Sequence, residues 1–90
     1  MPARGVVRHD RFDSAVEELE QKVPRIRESI EGAVWALARN PEKFGVKNLS
    51  IDVWQARLTV APSSPDVLIF YTIHARYIHL LTVALASELN

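Results

Sequence analysis

Apolar residues run together most densely at Val67-Leu68-Ile69-Phe70-Tyr71-Thr72-Ile73, where six of seven are aliphatic or aromatic. β-branched and ring-bearing residues in such a run predict a strand. A strand with one wet face alternates apolar and polar positions, whereas a strand covered on both faces does not. The run therefore predicts a central strand that needs a layer on each side.

The flanking patterns supply one of those layers. Arg4 to His9 predicts a short first strand at a sheet edge. Phe12, Val16, Leu19 and Val23 recur at helical spacing with Glu17, Glu18 and Glu20 off the stripe, predicting a first helix over 12–22 capped by Asp10 or Asp13. Pro24 suits a first helical turn and not a helix interior, so a second helix is expected over 24–39, with Ile26, Ile30, Ala33, Val34 and Leu37 on its apolar stripe. Asn40-Pro41 stops it, and 41–45 reads as a turn. From Val53 to Val60, Trp54, Ala56, Leu58 and Val60 alternate with Val53, Gln55, Arg57 and Thr59, a strand with one face more polar than the other. A Pro- and Ser-rich turn over 61–66 precedes the central strand. His74-Ala75-Arg76-Tyr77 then makes a hairpin turn, and Ile78 to Leu85 returns. The order β-α-α-β-β-β predicts one α+β domain over 1–90, two helices on one face of a small antiparallel sheet. The other face is left open.

Composition narrows the classes. Of 90 residues, 48% are hydrophobic and 24% charged, the balance of a globular chain with one core. There is no cysteine, which excludes a disulfide framework and cysteine-based metal sites. No apolar run approaches membrane-spanning length and the first residues lack a signal-peptide core, so a cytoplasmic location without a membrane partner is expected. Eleven basic side chains balance eleven acidic ones, which weighs against a dedicated nucleic-acid binder. Their distribution is uneven. From Lys22 to Lys47 six bases (Lys22, Arg25, Arg27, Arg39, Lys43, Lys47) face three acids (Glu28, Glu31, Glu42), and residues 53–90 hold only Arg57, Asp66, Arg76 and Glu88. So sparsely charged a segment is a core, an interface, or both.

Two helices ending in Leu37-Ala-Arg-Asn-Pro-Glu-Lys-Phe-Gly45, then Trp54-Gln-Ala-Arg57 on a strand, then Phe70-Tyr-Thr-Ile73 and a final apolar strand give a string that resembles the RelE/ParE toxin superfamily over roughly residues 9 to 85. The resemblance implies a RelE/ParE-like fold and the toxin half of a bacterial toxin–antitoxin pair. Such a toxin cuts messenger RNA on the ribosome as an endoribonuclease or poisons gyrase, and is neutralised by a bound antitoxin. It places Arg57 as a catalytic base-bearing position on the open sheet face, where a guanidinium stabilises developing phosphate charge. Two further positions depart from the pattern. Leu68 stands where an Arg is implied, and the tail Ala84-Leu-Ala-Ser-Glu-Leu-Asn90 lacks the implied basic or aromatic residues.

Histidine is the candidate substitute. With Ala75-Arg76 as a two-residue turn, His74 faces Tyr77 and Thr72 faces His79 on one side of the sheet. The pairing across the 61–66 loop is not fixed by the sequence, but the resemblance implies a register with Arg57 on that same side. Arg57, His74 and His79 would then form an RNA-cutting group, with imidazole as acid or base. The competing reading is a hydrogen-bonded strand histidine at 79 and a solvated one at 74. Nothing in the spacing gathers these two with His9 on a metal, so no metal or cofactor is expected. The same face carries Leu68, Phe70, Leu81 and Val83, an apolar patch of the kind that marks a protein interface. Its expected partner is an antitoxin or a second copy of the chain. Trp35 falls opposite the apolar stripe of the second helix, beside Glu28, Gly32 and Arg39, and reads equally as a ring lying over its neighbours' stems or as a partner contact. The alternative to a toxin is thus a non-catalytic interaction module built on the same fold.

Overall fold

The computed structural model describes residues 3–60, 62 and 65–88. Strand β1 (Gly5–Arg8) leads into helix α1 (Asp10–Lys22) and helix α2 (Ile26–Arg39). A one-turn helix α3 (Pro41–Phe44) and strand β2 (Gly45–Lys47) follow, then β3 (Trp54–Leu58), β4 (Val67–His74) and β5 (Tyr77–Leu85), with a 3-10 turn at Ala86–Glu88. The sheet has five strands in the order β1-β5-β4-β3-β2. The apolar run is indeed its central strand.

Several features differ from the sequence expectation. Helix α1 starts at Asp10, with His9 at its N-cap and no side-chain cap from Asp10 or Asp13. The sheet is mixed, because β1 pairs parallel to β5 while the other pairs are antiparallel. The chain leaves β1 through the helices and re-enters the sheet at its opposite edge, β2, so no turn joins β1 to β5 and nothing local forces that pair to be antiparallel. The segment 41–45 is a helical turn that feeds an additional edge strand, β2. Helix α2 begins at Ile26 and not at Pro24, since Arg25 takes a left-handed conformation (φ 68°) that a helix interior does not allow. The expected turn over 61–66 and the chain's last residues lie partly outside the described residues.

Both helices bury their apolar stripes against the same side of the sheet. Phe12, Val16 and Leu19 of α1 and Ile26, Ile30, Val34 and Leu37 of α2 join Ala56, Val67, Ile69, Tyr71, Ile78, Leu80, Val83 and Leu85 in one cluster. Ile78, Leu80, Val83 and Leu85 do not alternate strictly. The pairing shifts between Tyr71↔Leu80 and Phe70↔Thr82, so β5 carries Leu81 as an extra residue. Such a bulge resets which parity faces inward. Val83 therefore packs in the helix-side core, where straight alternation had put it on the open face.

Tyr71 joins the layers. Its side chain is fully buried, its ring lies beside that of Trp54 at 6.3 Å, and its hydroxyl donates to the Pro41 carbonyl across 2.7 Å. Burial pushes the phenol up to about 12, with a further push from Glu42. A Cβ at Gly45 would collide with the same hydroxyl, which explains glycine where α3 gives way to β2.

Tyr71→Phe leaves the Pro41 carbonyl without its partner and is expected to cost about 1–3 kcal/mol, a drop in Tm of about 4–8 °C per kcal/mol for a domain of this size. Gly45→Ala is expected to cost at least as much. Because folding raises this pKa, the contribution is complete below the unfolded value near 10 and is lost as pH rises towards 12. In a Tyr77→Phe background, tyrosinate absorbance at pH 10 in the folded protein would show that the hydroxyl is solvated and the bond absent.

At the β4–β5 turn, Ala75 has φ 54°, a left-handed value at the first central residue where a type II′ hairpin takes glycine. Ala75→Gly is expected to raise stability by about 0.5–1 kcal/mol, read as a higher denaturant midpoint at unchanged slope. A lowered midpoint would exclude strain at this turn.

Candidate functional site

The second face of the sheet is built by the residues that alternate with the core positions. On β3 these are Gln55 and Arg57, and on β4 Leu68, Phe70, Thr72 and His74. On β5 they are Tyr77, His79, Leu81 with its neighbour Thr82, and Ala84. Among the described residues no helix covers them, since the buried residues of both long helices belong to the opposite cluster. Leu68 is nonetheless only 5% exposed, between Arg57 and Ala84 in its row. Phe70 is half-buried beside a depression of about 240 Å³ lined by Val46, Ile51, Val53 and Gln55. Val46 and Ile51 are strongly exposed there. This half of the face is mainly apolar, with Lys47, Asn48 and Gln55 at its margin.

The sequence grouped Arg57 with His74 and His79. All three do stand on the open face, and the hairpin register His74↔Tyr77 and Thr72↔His79 is as expected. They are not gathered into one group. Arg57 pairs with Leu68, four residues along β4 from Thr72, which at strand rise is about 13 Å. His74 lies two residues further still. The Arg57 guanidinium is instead engaged by Asp66, Nε to Oδ2 at 2.6 Å. That hydrogen bond holds the Asp66 carboxyl below the usual carboxylate range. The pair ties the end of β3 to the start of β4.

What the fold does gather at the other end is imidazole. His9, just past β1, sets its Nε2 3.3 Å from Nδ1 of His79, with ring centroids 5.5 Å apart. Parallel pairing of β1 with β5 carries His9 to this place, since Arg8 is opposite Leu80 and the His9 amide donates to the Leu80 carbonyl. His79 is thus a hydrogen-bonded strand histidine, and His74 is solvent-exposed. His9, His74, His79, Thr72, Leu81 and Asp52 line a shallow depression of about 450 Å³. Asp52 also reaches Lys47, at 3.6 Å. One ring nitrogen of this contact donates and the other accepts, which requires complementary tautomers of His9 and His79. Among the described residues no group of three or more His, Asp or Glu side chains is placed to hold a metal ion.

No family model matches the chain, and no curated protein or solved structure matches it.

His9 and Asp52 were the participants that spacing did not group with the others. His9 is 70 positions from His79, and only parallel strand pairing brings them together. Trp35 stands apart from the sheet on α2, 61% exposed, with the Arg39 guanidinium 3.6 Å from its ring centroid. The ring thus lies against a neighbour's charged group while remaining largely open to solvent. No described helix is long and apolar enough to cross a membrane.

Arg57→Ala is expected to let the Asp66 pKa rise, followed by carboxyl NMR titration. Because the folded value is lowered, the pair's contribution is present above the unfolded pKa and fades as pH falls through the folded one. An unmoved Asp66 titration would mean that Arg57 is not its dominant partner.

Proposed function

We propose that this chain is a protein-interaction domain of the RelE/ParE type, held by an antitoxin-like partner across the open face of its sheet. The observation that carries this reading is the uncovered face around Phe70, which shares a depression with the strongly exposed Val46 and Ile51, with Leu68 on the same side of β4 and Leu81 at the bulge beside it. Contiguous exposed apolar surface of this kind marks an interface. The state of Arg57 supports it further, because a guanidinium already bonded to Asp66 is poorly placed to receive a phosphate. Of the proposed partner contacts, Leu68, Phe70 and Leu81 belong to this face, and Val83 does not.

A second reading, RNA cleavage in the manner of the toxins that the sequence resembles, draws on one observation, the His9–His79 contact beside His74. Two imidazoles would then act as acid and base on a ribose hydroxyl and leaving oxygen, without Arg57.

Sedimentation and dye binding test the first reading. The isolated chain is expected to self-associate or to bind an apolar dye, and Phe70→Glu to suppress either by at least about tenfold, or 1.4 kcal/mol, with an unchanged circular-dichroism spectrum. A monomer that binds no dye would overturn it. Expression of the chain alone in bacteria tests the second. Growth arrest relieved by His79→Ala but not by Arg57→Ala is the expected signature, and unimpaired growth with intact messenger RNA rejects catalysis.

A further inference from the structure

We propose that His9 and His79 form a two-imidazole site for a divalent transition metal such as zinc, completed by water. Nε2 of His9 and Nδ1 of His79 are 3.3 Å apart. Two nitrogen ligands at about 2.0–2.1 Å on a tetrahedral ion stand about 3.3–3.4 Å from each other, while for a hydrogen bond from a ring N–H this separation is long. The ring centroids are 5.5 Å apart and the planes are tilted by 51°, so the rings meet edge to edge at these nitrogens and not face to face. A small rotation of each ring makes both lone pairs converge on one ion. The shallow depression beside them, about 450 Å³, has room for that ion and its waters.

Both ligands are carried by backbone that the fold fixes. The His9 amide donates to the Leu80 carbonyl at 3.1 Å, and the His9 carbonyl accepts from the Phe12 and Asp13 amides at 2.9 and 3.2 Å. His79 sits within β5, paired with Val7 on one side and Thr72 on the other. Ligands on regular elements hold their places better than ligands on loops. The donor set selects the ion. Imidazole suits zinc, copper and nickel, whereas magnesium and calcium take oxygen ligands. Among the described residues Asp52 is the one charged side chain that lines the depression besides the histidines. Lys47 offsets it in part, at 3.6 Å, so the lining does not repel a dication. Before the ion binds, one of the two facing nitrogens carries a hydrogen. That hydrogen passes through water to the other nitrogen of its ring, so both imidazoles bind as neutral ligands and no net proton is released. With two protein ligands and not three or four, the site exchanges its ion and is no structural zinc centre. The inference is independent of what covers the face around Phe70. An ion on both rings would withdraw them from the acid–base use of the second reading.

The test titrates the full chain, isotope-labelled, with zinc chloride in a buffer that binds no metal, and with magnesium chloride as control. Zinc is expected to shift the ring signals of His9 and His79 together, saturating at one ion per chain. It is also expected to raise Tm, because only the folded chain brings together two residues 70 positions apart. Magnesium is expected to do neither. His9→Gln and His79→Gln are each expected to weaken zinc binding by at least about tenfold, and His74→Gln by less than about twofold, with unchanged circular-dichroism spectra. His9 is exposed, so its replacement leaves the core untouched. An affinity unchanged in His9→Gln would show binding by single surface imidazoles only and overturn the proposal. Equal shifts with magnesium, no saturable shift with zinc, or a loss caused chiefly by His74→Gln would do the same.

Discussion

Between the pairs Tyr71↔Leu80 and Phe70↔Thr82 the β4–β5 ladder passes over Leu81, and the two faces of the domain take their composition from that shift. Ile78 and Leu80 face the helices before it, and Val83 and Leu85 face them after it. Without the extra residue, a strand of period two would send Val83 and Leu85 to the side opposite Ile78 and Leu80. Two large apolar side chains would then leave the core, at about 1.5–3 kcal/mol each for exposure of a buried aliphatic residue. The bulge thus keeps the helix side closed. It also leaves Leu81 at the edge of the histidine-lined depression, on a face that has no helix of its own.

That one-sided packing accounts for the distribution of polar chemistry. Among the described residues the core holds no charged side chain, and its one phenolic hydroxyl is bonded to Pro41. Every ion pair among the described residues lies at the surface, where a pair adds little to stability but fixes which charges stay available. Arg57 is spent on Asp66 at one end of the open face, while imidazoles meet at the other. The face is therefore divided into a mainly apolar stretch and a histidine-lined end.

Strand β4, helices α1 and α2, the two-residue hairpin and the sidedness of β3 were legible in the sequence because each rests on contacts within a few residues. Helical period, alternation and turn chemistry are local signals. The direction of β1 was not legible, since nothing in Gly5–Arg8 distinguishes a parallel from an antiparallel neighbour. β2 was missed because three residues ending a helical turn carry no alternation to read. Val83 was misplaced because a bulge is a property of a pair of strands and leaves no mark on one.

The candidate site divides along the same line. By itself the sequence determined that His74 and His79 share a face, since parity along a strand and across a tight turn follows from backbone geometry; the side taken by Arg57 depends on the β3–β4 register. It also determined that this face holds Leu68 and Phe70 beside few charges. Only the tertiary structure decided that Arg57 stands about 13 Å along the sheet from the row of His79, that Asp66 engages it, and that His9 crosses 70 positions to meet His79. These depend on which strands become neighbours and in what register, a choice made by burying the whole apolar set at once and not by any residue's own preference.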